Sequence, residues 1–158
     1  MSIRAQLVFA SSYYLMRGCL IGLRYSVCRR QFKNTQGSKD ETKLLDYQTQ
    51  QAKLLPLLGI GFGMMMVDAF VKKMFNQLLA DVKKDKFDLM DELHHLTSGF
   101  KAVYTQLTMD GLLVIRQACG GAGYLAWSNL PMLIADWSPC VTFEGDNTVL
   151  AQQSARFL

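Results

Sequence analysis

No CxxC or CxxH pair occurs in this sequence, so the paired ligands of a structural zinc site are missing. Its four cysteines, Cys19, Cys28, Cys119 and Cys140, stand alone, and nothing else suggests a secreted disulfide framework. They read as small, reduced core residues, and no metal is expected. A long basic stripe interleaved with aromatics is also missing. The net charge is only +4, and the basic residues are scattered, with local pairs at 29 and 30, 72 and 73, and 83 and 84. That distribution argues against a nucleic-acid partner. The greasiest stretch, 54–67, falls short of the roughly 20 residues a bilayer requires, and Lys53 and Asp68 bracket it. It reads as a buried helix face, so no transmembrane segment is expected. Arg4 is followed by amphipathic text, unlike a secretory signal, and the terminal ARFL is not of the peroxisomal SKL type. Alternating strand patterns and internal repeats are absent as well.

What remains is a chain of 158 residues, half of them apolar, long enough for one domain over 1–158 with a single sizeable core. Apolar residues recur at three and four over 2–32, as in Leu7, Ala10, Tyr14 and then Met16, Leu20, Leu23. No proline interrupts that stretch, and Gly18 and Gly22 allow a neighbour to pack closely. The polar segment 33–43, with Gly37, reads as a solvent loop. A second helix is predicted over 43–84, bent or loosened near Pro56 and the series Gly59, Gly61, Gly63. A third follows over 86–119. The segment 120–140, rich in Gly, Pro and aromatics, reads as a long loop, and a last helix runs over 146–158. The fold expected is all-α, a four-helix up-down bundle with one elaborate loop at 119–145.

Several eye-catching features have ordinary explanations. Gly59, Gly61 and Gly63 lack the spacing of a dinucleotide loop and follow no strand, so close helix packing is favoured. His94 and His95 are neighbours, about 100° apart on a helix, and do not readily share a metal. The methionines at 64–66 read as plastic core.

Four segments carry more when taken in order. In RYSVCRRQF, Tyr25, Arg29 and Phe32 form Y-S-x-x-R-x-x-F at a helix end. LLDYQTQQ follows at 44–51, RQACGGAGY at 116–124 and TFEGDNT at 142–148. Together they resemble the C-terminal helical region of the acyl-CoA dehydrogenase and oxidase superfamily, across essentially the whole chain. The wording RRQF, DYQTQQ, CGGxGY and FEGDNTV is similar to the oxidases; dehydrogenases usually carry Thr or Ser where Asp146 stands.

The resemblance implies a flavoenzyme that uses FAD. Glu144 would be the catalytic base, removing the α-proton of a fatty acyl-CoA while the β-hydride passes to the flavin. The product is a trans-2-enoyl-CoA, and electrons go on to oxygen. Such a base benefits from an apolar, poorly solvating pocket of the kind Phe143 suggests, and Gly145 would leave room for the thioester. Arg29 matches an arginine that meets the FAD pyrophosphate, often across a subunit interface, a task suited to a guanidinium fork. Phe32 and Gln48 would lie near the cofactor. Gln117, Gly120 and Gly121 match a segment whose bare backbone lets a neighbouring FAD approach, and Asn147 would be a further cofactor contact. Tyr124 would border the acyl pocket. Oxidases commonly read CGGHGY, and Ala122 here departs from that.

The family also has an N-terminal helical domain and a β-domain that build much of the flavin and CoA sites. This chain therefore reads as one part of a larger or split enzyme, working in a dimer or larger assembly. The alternative is a non-catalytic relative serving as a structural or interaction subunit. The resemblance points to the peroxisome, with the mitochondrion as the other candidate.

Overall fold

The structure, a computed structural model, describes residues 2–33 and 39–158. Six α-helices are formed among the described residues: α1 (Ser2–Cys28), α2 (Gln48–Val82), α3 (Met90–Ala118), α4 (Gly120–Tyr124), α5 (Leu130–Trp137) and α6 (Asn147–Ala155). The predicted all-α architecture holds; the single bridge between Arg30 and Lys43 is the only β-type pairing among them. The three long helices and α6 make the bundle, with α1 and α3 sharing the largest interface.

Small residues set how closely these helices approach. A Cβ on Gly18 would reach the side chains of Leu112 and Ile115, and one on Gly22 would meet Ile115 and Leu54. Of the three glycines in α2 only Gly61 has this role, against Met16; Gly59 and Gly63 face open space. The core they close over includes Leu15, Cys19, Leu54, Leu112, Ile115 and Trp137. Each fully buried side chain of this size contributes about 1.5–3 kcal/mol of transfer free energy.

Helix ends differ from the sequence expectation where the backbone turns left-handed. α1 stops at Cys28 rather than at 32, because residues 30–32 swing back to pair with 42 and 43, and Phe32 has φ +59°. α3 begins at Met90 rather than 86, after a turn with Asp85 at φ +56°. The second helix is continuous as expected: α2 runs for 35 residues with Pro56 inside it, held along one stripe by Leu54, Gly61, Met64, Val71 and Leu78. Part of the predicted solvent loop, 34–38, lies outside the described residues.

The largest correction concerns 119–145. It is not an open loop but a chain of short helices, α4, α5 and two 3-10 turns at Ala126–Ser128 and Ser138–Val141. Leu130, Leu133 and Trp137 fall three and four apart, and all are buried. Pro131 sits in the first turn of α5, where a missing N–H costs nothing. The Trp137 indole donates to the Thr105 carbonyl at 3.0 Å and anchors this segment to α3.

The apolar stretch of α2 is likewise not simply a buried face. Leu55, Phe62, Met65, Met66, Phe70 and Leu79 are exposed. By length and composition α2 is apolar enough to cross a membrane, with 22% of its most apolar window buried against the rest of the domain. Three cysteines are buried and reduced as expected, but Cys28 is exposed.

One carboxylate is enclosed away from both ends of the bundle. Asp68 on α2 accepts from the Ser12 hydroxyl, and its other oxygen is buried with no hydrogen-bond partner. Burial pushes its carboxyl above the usual range, against the opposing effect of the Ser12 bond. A folded-state pKa above the unfolded one means stability falls as pH rises through the folded value. Asp68→Asn is therefore expected to raise the thermal midpoint by a few degrees at neutral pH and to leave it unchanged in acid, below the unfolded pKa. Thermal melts across pH check both the gain and its disappearance.

Candidate active site

Glu144 lies in the turn between the 3-10 segment Ser138–Val141 and α6. It is a non-glycine residue in the left-handed region, φ +61°, followed by Gly145 at φ +119°. A non-glycine residue of this kind is strained and persists only where surrounding contacts hold it. A Cβ on Gly145 would meet Leu150, so glycine is required there both for the dihedral and for the packing. Glu144 is half-buried and Phe143 exposed, so the apolar enclosure expected of the base is not closed by the described residues alone.

The contacts come from far along the chain. Arg4 Nε donates to the Glu144 carbonyl at 2.9 Å, and Arg4 Nη1 to Ser98 Oγ at 3.2 Å. Lys101, fully buried on α3, donates from Nζ to the Gly145 carbonyl at 2.6 Å and to Asn147 Oδ1 at 2.9 Å. Asn147 Nδ2 donates in turn to Thr105 Oγ1 at 3.1 Å. The Asn147 side chain is thus turned into the domain, where the sequence suggested a cofactor contact. Helix capping falls to Asp146, whose Oδ1 accepts from the backbone N–H of Thr148 and Val149 at 2.9 and 3.4 Å. Thr or Ser at that position would cap equally well, so the oxidase and dehydrogenase wordings meet one structural need. Glu144 is free of that duty.

A second site lies at the other end of the bundle. A cleft of about 520 Å³ is lined by Tyr25, Arg29, Gln50, Gln117, Gly120 and Gly121 among others. A Cβ on Gly120 or Gly121 would meet nothing within 4 Å, so this backbone is bare toward the opening. Gly123, just beyond, is different: a Cβ there would run into the Arg116 carbonyl, which locks α4 onto the end of α3. A guanidinium, amide side chains and uncovered backbone suit a diphosphate, so these residues fit that part of FAD. Phe32 and Gln48 are exposed close by in sequence but do not line the cleft. Tyr124 projects into solvent two residues after Ala122, which does line it.

Arg29, Gln117, Gly120 and Gly121 are therefore brought together, as are Glu144, Gly145 and Asn147, but the two groups are not. At 1.5 Å per residue along α1 and α3 they stand about 25–35 Å apart.

Comparison with known proteins decides the family. The family description "Acyl-CoA oxidase, C-alpha1 domain" matches residues 1–158. The chain belongs to the acyl-CoA oxidase family. It is 39% identical over 156 residues to peroxisomal acyl-coenzyme A oxidase 1 of Phascolarctos cinereus, covering 99% of this chain and 23% of that protein. Against peroxisomal acyl-coenzyme A oxidase 2 of Rattus norvegicus it is 41% identical over 144 residues, covering 91% of this chain and 21% of the relative. Arabidopsis thaliana acyl-CoA oxidase 1 superposes with TM-score 0.91 at 39% identity, over 99% of this chain and 24% of that one. Acyl-CoA oxidase-2 of Caenorhabditis elegans, solved with FAD, ascaroside-CoA and ATP, gives TM-score 0.92 at 35% identity, over 98% and 23%. The chain thus spans about a quarter of the length of these acyl-CoA oxidases.

Sequence reading missed four participants. Arg4, Lys101, Gln50 and Lys53 belong to no quoted motif role. Gln50 donates to Ser26 Oγ at 3.0 Å and to the Ala118 carbonyl at 2.9 Å, tying the three long helices together beneath the cleft, and Lys53 lines it. Lys101 did carry a signal: it falls in the buried stripe of α3 with Leu93, Thr97, Tyr104, Thr108 and Leu112. A lysine in a core stripe needs a partner and so a reason.

Proposed function

We propose that this domain carries the catalytic base of an acyl-CoA oxidase, acting on fatty acyl-CoA to give trans-2-enoyl-CoA as part of a larger enzyme. The supporting observation is the left-handed turn at Glu144, φ +61°, at the residue the family resemblance makes the base. Strain of this kind is kept where a side chain must be aimed.

In this reading the Glu144 carboxylate takes the α-proton of the thioester. Arg4 and Lys101 hold the two peptide carbonyls of the turn and so fix the backbone from which the carboxylate projects. FAD, when bound, would supply the hydride acceptor and the route for electrons to oxygen. Arg29 and Gln117, with the bare backbone of Gly120 and Gly121, hold a cofactor diphosphate. Because that cleft is a bundle length from Glu144, each site takes its base from one copy and its cleft from another, so the working unit is at least a dimer. Tyr124 and Gly145 border the substrate, and Phe32 and Gln48 the cofactor. The names of the matched relatives support a peroxisomal home.

Anaerobic mixing of the full-length, flavin-loaded protein with a saturated fatty acyl-CoA tests the reading. Loss of the flavin absorbance, with hydrogen peroxide formed once oxygen is admitted, is expected. A flavin that stays oxidised at saturating acyl-CoA would reject it.

A further inference from the structure

A fully buried lysine is costly unless its charge is used, and Lys101 is 0% exposed. Its ammonium has two acceptors, the Gly145 carbonyl and Asn147 Oδ1. Neither is a carboxylate, so this is not a buried ion pair kept for its own sake. The charged and titratable groups around it are Asp146, Cys140, Arg4 and Glu144. Burial pulls the Lys101 pKa down, while Asp146, Cys140 and Glu144 act to restore it and Arg4 works against them.

The geometry is specific to the turn. The peptide carbonyls of Glu144 and Gly145 are consecutive, and each accepts a hydrogen bond from a different cation, Arg4 and Lys101. Charge-assisted bonds of this kind are about twice as strong as neutral ones. They act on the two residues with positive φ, of which Glu144, the non-glycine, is the strained one. Asn147 orients Nζ from the far side, and Thr105 fixes Asn147 while donating to the Lys101 carbonyl at 2.8 Å. The set closes on itself: α3 supplies Lys101 and Thr105, and the turn supplies what they hold.

We propose that Lys101 is a positioning residue for Glu144: by holding the Gly145 carbonyl, with Asn147 as its guide, it fixes the left-handed turn that aims the carboxylate at the substrate. This rests on the reading of Glu144 as the base. Lys101 does not touch substrate. Its loss lets the turn relax toward ordinary dihedrals and moves the carboxylate by a fraction of a side-chain length. A misplacement near 1 Å costs on the order of 100-fold in rate.

The test uses the full-length flavin-loaded protein with Lys101→Met, which keeps the bulk and removes the ammonium. The expected result is kcat per bound flavin lowered on the order of 100-fold, with KM for acyl-CoA changed less than about threefold. The kinetic isotope effect with α-deuterated acyl-CoA should rise, because proton removal becomes the slow step. A merely structural role would lower flavin content and leave kcat per flavin and the isotope effect as they were; that result overturns the proposal. If Lys101→Met does not fold, Asn147→Ala decides on the same two readouts, with a loss on the order of 10-fold supporting the proposal and no change overturning it. Glu144→Gln runs beside them. Should Glu144→Gln still reduce its flavin with acyl-CoA, the base reading falls and this inference with it. Should Glu144→Gln be inactive and Lys101→Met behave as wild type, only the positioning role falls.

Discussion

Replacing Glu144 with Gln is expected to cut acyl-CoA-dependent flavin reduction by about 10²–10⁴-fold, the usual worth of a positioned general base. Gln keeps the size and shape of the side chain and loses only the ability to take a proton. Arg4 and Lys101 hold backbone carbonyls of the turn rather than the carboxylate itself, so their bonds survive the change. The fold and the cofactor cleft at the other end of the bundle should therefore be untouched. Flavin content and thermal midpoint within error of wild type, together with lost reduction in stopped flow, is the expected combination. Reduction at a wild-type rate would move the base elsewhere and leave the strained turn without a function.

The second large effect is recovery by mixing. If each site combines the Glu144 end of one copy with the Arg29 cleft of another, two separately defective chains repair each other. Glu144→Gln alone is inactive for want of a base. Arg29→Glu alone puts a carboxylate where a diphosphate must sit and should lose most of its flavin. In a mixed dimer one site collects both defects and the other collects none. With random pairing about half the dimers are mixed and half their sites are intact, so co-expression should restore about a quarter of wild-type activity. Tagging each variant differently and purifying through both tags would enrich the mixed form and raise recovery to about half. Activity no greater than the sum of the two variants alone would mean that one chain supplies both ends to a single site.

Much of this was readable in the sequence, for identifiable reasons. The motifs at 25–32, 116–121 and 144–147 are local, so neighbours in sequence remain neighbours in space. The long helices announced themselves through apolar spacing. The segment 120–140 is deceptive because Gly and Pro read as breakers, although Pro131 is in a first turn and Leu130, Leu133 and Trp137 have helical spacing. Lys101 and Arg4 were unreadable as participants in the turn because their partners are 44 and 140 residues away. No local pattern reports a contact of that range. The separation of Glu144 from the Arg29 cleft is equally a product of helix length, invisible until α1 and α3 are laid side by side.

The Arg4 to Glu144 bond has a consequence for how the domain comes into being. It joins the first turn of α1 to a residue 140 positions later, a loop that takes in the whole bundle core. Contacts of such long loop closure form late, after the local helices and the pairing of α1 with α3. The bundle core can therefore form before the strained turn, and the turn takes its working shape only when residue 144 docks against residue 4. The turn at Glu144 is thus among the last parts of this domain to set, and damage at residue 4 is felt at residue 144.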